Sequence, residues 1–294
     1  MLEVAGMKKF RLPTSDTGVQ IEGRIGGSGS PLLLLHGNPL SQNSWNRILP
    51  QLMRKHTVVT TDLRGYGDSS KPQGLPDHTN YSFRRMGEDQ FEVMRALGFE
   101  RFALAGHDRG ARVAYRMALD APDLITKVAF LDILPTHYVF HHITADMAVD
   151  LYHWFFMAQP KGFPERLLGG HEAFYIRDKL MKQGPGKGGF TEEEIVEYIR
   201  VCTPENIHAV CEDYRAAATI DLRMDTADLE AGRLITVPTM VLWGERSHTA
   251  LRHAPREVWP MYCSRIESMI GLPCGHYPTE QAPNETWQAF DAFF

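Results

Sequence analysis

Cysteine is scarce: 4 among 294 residues, at Cys202, Cys211, Cys263 and Cys274. None forms a Cys-x-x-Cys pair or a zinc-like Cys/His cluster, so neither a disulfide scaffold nor a structural metal is expected. Free thiols in a chain of this length point to a reducing compartment. No apolar run approaches the roughly 18 residues a membrane-crossing helix needs, so no membrane partner is expected. Met1 to Pro13 carries Lys8, Lys9 and Arg11 with no apolar stretch behind it, so no signal peptide is expected and a cytoplasmic location is. An excess of basic charge is also missing. With 31 Lys and Arg against 36 Asp and Glu, the formal net charge is −5, which argues against a nucleic-acid partner. An anionic ligand is compatible with that balance where a site focuses positive charge locally. There is no internal repeat and no low-complexity tract. What remains, 43% apolar and 23% charged residues, is the composition of an ordinary globular protein.

Residues 10–25 alternate as a hairpin does around a turn at Asp16–Gly18. After the break Gly26-Gly27-Ser28-Gly29-Ser30, Leu32 to Leu35 runs uniformly apolar into His36-Gly37, as a strand buried on both faces should. Trp45 to His56 reads as a helix, Thr57 to Thr61 as a second buried strand, and Asp62 to Pro76 as a surface loop. Phe83 to Leu97 has helical spacing. Phe102 to Ala105 reads as a strand, Arg112 to Leu119 as a helix and Val128 to Leu131 as a strand. Strand and helix alternate with short loops, which predicts an α/β protein with a mostly parallel, doubly wound sheet flanked by helices. From 137 to 233 the rhythm stops. Helical stretches, a loop at Gly184–Gly189 and a capped helix from Thr191 to Val201 are expected there, but no buried strand. The strand-then-glycine pattern resumes at Val237 to Gly244, and Glu285 to Phe294 reads as a closing helix. The expected organisation is a core of residues 1–136 and 234–294 with a helical insertion at 137–233.

Gly106-His107-Asp108-Arg109-Gly110 follows a short apolar strand and precedes a helix. In that setting G-x-nucleophile-x-G makes a sharp elbow that projects one side chain above the sheet, with glycines where neighbouring side chains would collide. The projecting residue here is Asp108. His36-Gly37-Asn38-Pro39, also after a strand, stands where such a fold places one backbone N–H of an oxyanion hole; the residue after the nucleophile supplies the other. Those donors are assigned to Asn38 and Arg109. His276, behind Gly275, is last in chain order, as the base of such a site is. Two acids could orient it: Asp132, at the tip of the strand Val128–Leu131, and Glu245, after Trp243. Asp132 is favoured, since sites form at the carboxyl ends of parallel strands.

A carboxylate attacking a carbonyl gives an anhydride, whereas attack on an sp³ carbon bearing a leaving group gives an ordinary ester. The His then activates water against that ester, and the oxyanion hole holds the tetrahedral intermediate. The substrate class narrows to carbon–halogen compounds or epoxides. Arg109 and Arg112, in the first turn of a helix, oppose its macrodipole at about 0.3–1 kcal/mol each. A clamp for a substrate carboxylate accounts for both and favours a small halo-acid.

With these residues in view, the chain resembles the fluoroacetate (haloacetate) dehalogenases, a branch of the α/β-hydrolase superfamily. The likeness is carried by Leu32–Gly37, Asp62-Leu63-Arg64-Gly65-Tyr66-Gly67, Ala105–Arg112, Leu131-Asp132-Ile133-Leu134-Pro135-Thr136, Tyr152-His153-Trp154 and Cys211-Glu212-Asp213-Tyr214-Arg215-Ala216. The first two stretches are common to many α/β-hydrolases; the others are far more specific. The resemblance implies Asp108, His276 and Asp132 as partners, a helical cap, and a halide pocket of His153, Trp154 and Tyr214. An imidazole N–H, an indole N–H and a phenol O–H could together replace the hydration of a departing fluoride. It also implies, by analogy, a homodimer. One departure stands out: Asn38 occupies a position where the family usually has Phe, which keeps the backbone donor but makes the pocket wall polar.

The function expected is cofactor-free hydrolysis of haloacetates to glycolate and halide through an Asp108 ester, with a small anionic haloacid as the partner. The alternatives are an epoxide hydrolase or another haloacid or haloalkane hydrolase with the same Asp–His–Asp set, and a small-ligand receptor that has lost turnover.

Overall fold

The computed structural model describes residues 2–182 and 189–294. The loop expected at Gly184–Gly189 lies, apart from Gly189, outside them. Eight strands form one sheet: β1 (Met7–Pro13), β2 (Gln20–Gly27), β3 (Ser30–Leu35), β4 (His56–Thr61), β5 (Phe102–His107), β6 (Ile125–Leu131), β7 (Thr239–Gly244) and β8 (Ile266–Leu272). Their spatial order is β1-β2-β4-β3-β5-β6-β7-β8. β1 and β2 are the expected hairpin, β2 meets β4 antiparallel, and every pair from β4 to β8 is parallel.

The leucine run explains the layering. Leu32 and Leu34 point to one face of the sheet and Leu33 and Leu35 to the other, and all four are fully buried. Burying one such side chain stabilises the fold by about 1.5–3 kcal/mol. Helices Phe83–Ala96 and Arg109–Asp120 cover one face; the closing helix Pro283–Phe293 packs on the other, through Phe290 and Phe293.

One expectation is corrected. No long helix runs from Trp45 to His56: a 3₁₀ turn at Gln42–Trp45 and a single turn at Leu49–Leu52 stand there instead, and His56 already belongs to β4. Pro50 is tolerated only in the first turn of a helix, which leaves little room before the strand. β8 closes the sheet at Ile266–Leu272, a stretch to which the sequence pattern assigns no element. As an edge strand it is mostly half-buried, and Glu267 and Ser268 mask its apolar positions.

Between β6 and β7 the described residues of 137–233 contain no strand. Glu192–Val201 carries the expected capping box, with Thr191 Oγ1 accepting from the Glu194 amide and the Glu194 carboxylate accepting from the Thr191 amide. Pro204–Ala216 runs through a π-helical turn, Ala217–Asp221, into Leu222–Glu230. No helix among the described residues is long and apolar enough to cross a membrane.

Candidate active site

Asp108 sits between β5 and its helix with φ +48°, a left-handed conformation that a non-glycine residue rarely adopts. The turn is tight enough to demand its glycines. A Cβ on Gly106 would lie 2.4 Å from the Gly110 carbonyl oxygen, and one on Gly110 2.4 Å from that of Leu35. The strained turn lifts the Asp108 carboxylate to the carboxyl ends of β3, β5 and β6. Its Oδ1 accepts from the Asn38 backbone N–H at 2.8 Å, and its Oδ2 lies 3.7 Å from His276 Nε2. His36, in the same loop as Asn38, is structural: its Nδ1 donates to the Gly37 carbonyl and its Nε2 accepts from the Leu63 amide.

Asp132, at φ +50°, ends β6. Its Oδ2 accepts from His276 Nδ1 at 2.6 Å, and its Oδ1 accepts from the Gly244 amide at 2.9 Å and the Ser247 hydroxyl at 2.6 Å. Glu245, the alternative acid, is exposed and takes no part in this set. His107 Nε2 donates to the His276 carbonyl and so holds the loop that carries the imidazole.

Burial by itself would raise the Asp108 carboxyl. The positive ends of His276, His107 and Arg109 and the Asn38 amide outweigh it and hold Asp108 well below the usual carboxylate range. Burial would lower His276, but the hydrogen bond and charge of Asp132, with the charge of Asp108, lift it above an ordinary imidazole.

The two arginines separate. Arg112 lines the cavity above Asp108, with Nη1 donating to the Leu134 carbonyl at 3.0 Å and Thr136 Oγ1 at 2.9 Å. Its guanidinium lies 4.4 Å from the Trp154 ring centroid, and its Nε has no partner among the described residues. Burial and Arg109 bring it down to about 10, so it stays charged near neutrality. Arg109 is spent differently. It is fully buried between Phe83 and Tyr214, its Nε donates to Asp213 Oδ2 at 2.8 Å, and its Nη2 donates to Asp213 Oδ1 and the Asp213 carbonyl; Nη1 alone is left without a partner. Asp213 also accepts from the Tyr66 hydroxyl. The pair accounts for the cation at this helix start without substrate; of the two arginines expected to form a clamp, Arg112 lines the cavity and Arg109 is engaged with Asp213.

His153 and Trp154 line the same cavity, on helix Tyr152–Met157. Tyr214 stands behind them, its ring edge-on to both, and its hydroxyl oxygen accepts from Asn38 Nδ2 at 3.3 Å. Burial, Lys179 and neighbouring imidazoles hold His153 well below the ordinary range, so it is a neutral donor.

Among the wall residues absent from the sequence reading of the site, Lys179 and His248 are titratable. Lys179 had a signal, because a Lys among Ile176 and Leu180 occupies the apolar stripe of a helix. His248, brought down to about 4 by burial and His276, had none. The cavity has room for the centre of about one water molecule, roughly 10 Å³.

Among the described residues, two groups bring metal-ligand types together, Asp132–His248–His276 and Glu165–His208–Glu212. In the first, the facing Asp132 and His276 atoms already share a hydrogen bond. In the second, the Arg215 guanidinium already bridges both glutamates. Neither donor set favours a metal.

Residues 30–283 match the family model for the alpha/beta hydrolase fold. A fluoroacetate dehalogenase from Burkholderia sp is 44% identical over 266 residues, covering 89% of this chain and 86% of that protein. A soluble epoxide hydrolase from Corynebacterium sp. (strain C12) is 32% identical over 262 residues, covering 87% of each. A solved structure of a putative alpha/beta hydrolase from Nostoc sp PCC 7120 superposes with a TM-score of 0.94 at 45% identity, over 98% of this chain and 97% of that one.

Proposed function

Since the chain belongs to the α/β-hydrolases, and among them to the haloacetate dehalogenase family, we propose that it hydrolyses haloacetates such as fluoroacetate and chloroacetate to glycolate and halide through an ester on Asp108. The observation that carries this is the Asp108 carboxylate: ionised, one oxygen held by a backbone N–H, the other facing His276, in a small cavity that also holds Arg112.

Arg112, with Nη1 of Arg109 behind it, holds the substrate carboxylate and offsets its repulsion from Asp108. Asp108 Oδ2 attacks the α-carbon in line; the new C–O bond forms as the carbon–halogen bond breaks, and the halide leaves with the electron pair. No proton moves in this step. His153, Trp154 and Tyr214 supply neutral donors to the halide, and because Asn38 donates to the Tyr214 oxygen, the tyrosine's own proton is free for it.

Esterification removes the Asp108 charge, which lowers His276 toward the pKa a general base needs. His276, oriented by Asp132, takes a proton from water as the oxygen adds to the Asp108 carbonyl carbon. The oxyanion then sits at Oδ1, on the backbone N–H groups of Asn38 and Arg109; one such donor is worth about 100- to 1,000-fold. Collapse releases glycolate, which takes the proton back from His276. In this account residues 137–233 act as a cap over the core formed by 1–136 and 234–294.

Measuring fluoride and chloride release from the two haloacetates, with Asp108→Asn as control, tests the reading. Release that vanishes in the variant supports it; equal release in both overturns it. Repeated turnover in heavy-oxygen water should leave label in the Asp108 carboxylate, and its absence there excludes the ester route.

Epoxide hydrolysis is the second reading, favoured by the 32% identical relative and by Tyr175, whose buried hydroxyl has no partner among the described residues and could join Tyr214 as a donor. A neutral epoxide, however, leaves the Arg112 charge without a task. Diol formation from styrene oxide faster than halide release would reverse the preference.

A further inference from the structure

Lys179 lies on the inner stripe of helix Glu172–Lys182, between Ile176 and Leu180, and is 6% exposed. Burying an ammonium is costly unless it is paired. Yet among the described residues Lys179 makes no ion pair and no hydrogen bond; Tyr175, on its own helix, has its ring centroid 5.9 Å from Nζ. The side chain enters the wall of the cavity that holds Asp108. Of the charges around His153, Lys179 acts on it most strongly, whereas the charge acting most on Arg112 is Arg109. Lys179 and His153 thus share one cavity wall, and the Lys179 charge is felt at the imidazole.

We propose that the Lys179 ammonium receives the departing halide and is a catalytic residue of the first step. The proposal rests on the dehalogenation reading above. When Asp108 Oδ2 bonds to the α-carbon, a full negative charge passes from the carboxylate to the halide. His153, Trp154 and Tyr214 answer it with neutral dipoles, and Arg112 is engaged by the carboxylate of the substrate. Lys179 supplies a whole charge where the negative charge develops, in a site that excludes water, where such an interaction is strongest. Fluoride, compact and strongly hydrated, needs it most; bromide, large and a better leaving group, needs it least.

The proton on Lys179 then sets an alkaline limit. Burial brings the ammonium down to about 8, with Asp108 holding it up and Arg109 pressing it lower. The titratable and charged groups that share its cavity are Asp108, Arg112, Asp132, His153, His248 and His276, and Arg109 and Tyr175 also act on it. Asp108 and Asp132 are ionised throughout the neutral range, His153 and His248 are neutral, and Arg112 stays charged to about 10; His276, lifted above an ordinary imidazole, also loses its proton as pH rises, and its contribution is the one that persists in Lys179→Met. As pH rises through about 8, Lys179 loses its charge and ester formation from fluoroacetate should fail first.

Single-turnover halide release by wild type, Lys179→Met and Lys179→Arg tests this, with fluoroacetate and bromoacetate across pH. Lys179→Met is expected to slow ester formation about 100-fold with fluoroacetate and less than about 10-fold with bromoacetate, and to lose the limb near pH 8. Lys179→Arg should move that limb upward. Equal losses with both halogens and an unchanged pH profile would overturn the proposal. Thermal unfolding serves as the folding check, since replacing a buried unpaired ammonium by Met should not destabilise the protein. A second measurement does not depend on turnover: bromide titration of the substrate-free enzyme, read by tryptophan fluorescence. Saturable binding in wild type that fades above about pH 8 and weakens about 10-fold or more in Lys179→Met supports the halide site. Absent binding, or equal binding in both, refutes it. If wild type releases no halide from haloacetates, the dehalogenation reading fails, and the titration still decides the site.

Discussion

On the sheet side of the cavity, the side chains are fixed by hydrogen bonds from strand ends. Asp108 is held by the Asn38 amide, Asp132 by the Gly244 amide and Ser247, and His276 by Asp132 and, through its carbonyl, His107. Asp108 and Asp132 also occupy strained positive-φ conformations, sustained because the sheet around them is fully packed. On the helical side, neither the His153 nor the Trp154 side chain makes a hydrogen bond among the described residues; both are held by contact with the Tyr214 ring. One wall holds its carboxylates and imidazole in fixed register, as the proposed bond formation requires. The other keeps its polar hydrogens unspent, which is what a receptor for an incoming anion requires. Perturbing the first wall should therefore change chemistry, and perturbing the second should change which leaving group is tolerated.

The sharpest way to break that contrast is His276→Asn. It leaves Asp108 ionised and able to attack but removes the base for the second step. Steady-state turnover should fall at least about 1,000-fold, while mass spectrometry finds the enzyme carrying one carboxymethyl group on Asp108. Wild type should do the same transiently in acid. In the ester His276 is no longer lifted by the Asp108 charge but still by Asp132, and the neutral base is lost as pH falls through its pKa in that ester, whereas Asp108 of the free enzyme stays ionised. Rapid-mixing experiments below that pH should give a halide burst equal to the enzyme concentration. A burst-free progress curve would mean that ester formation, not hydrolysis, carries the acid limb.

The two arginines sharpen the comparison at the next scale. Arg112→Met should lower kcat/KM for haloacetates about 100-fold with little loss of stability, since its partners are a carbonyl and a hydroxyl. Arg109→Met leaves Asp213 buried without its counter-charge and should cost about 3–5 kcal/mol in denaturant unfolding. If both variants lost activity alike and neither lost stability, the pairing with Asp213 would not be what positions Arg109.

The sheet wall was legible in the sequence because its residues are tied to backbone punctuation. The glycines at 106 and 110 mark a turn that no side chain fits, Asp132 ends an apolar run, and His276 follows a glycine late in the chain. The helical wall was legible only through resemblance, since His153, Trp154 and Tyr214 are indistinguishable from core aromatics by periodicity. The ion pair of Arg109 is not legible, because its partner Asp213 is 104 residues away and local spacing carries no trace of such a contact. β8 stayed hidden for a similar reason: an edge strand has one neighbour to bury it, so its hydrophobic pattern is incomplete.

Asn38 belongs to both walls, and the effect of altering its side chain should be the smallest. Its backbone N–H holds Asp108 Oδ1 at 2.8 Å, while its side-chain amide reaches across to the Tyr214 hydroxyl at 3.3 Å, a long bond. Asn38→Phe keeps the first and removes the second, which should cost about 0.5–1.5 kcal/mol where the bond matters. The tyrosine would then lose the donor that keeps its own proton pointed elsewhere, so the loss should fall on fluoride departure and spare ester hydrolysis. The expected outcome is a less than about 10-fold drop in fluoroacetate turnover, a smaller one with bromoacetate, and an unchanged hydrolysis rate for the preformed ester. A drop of the same size in hydrolysis would place the Asn38 side chain with the sheet wall instead, acting on Asp108 through the loop it shares with the oxyanion donor.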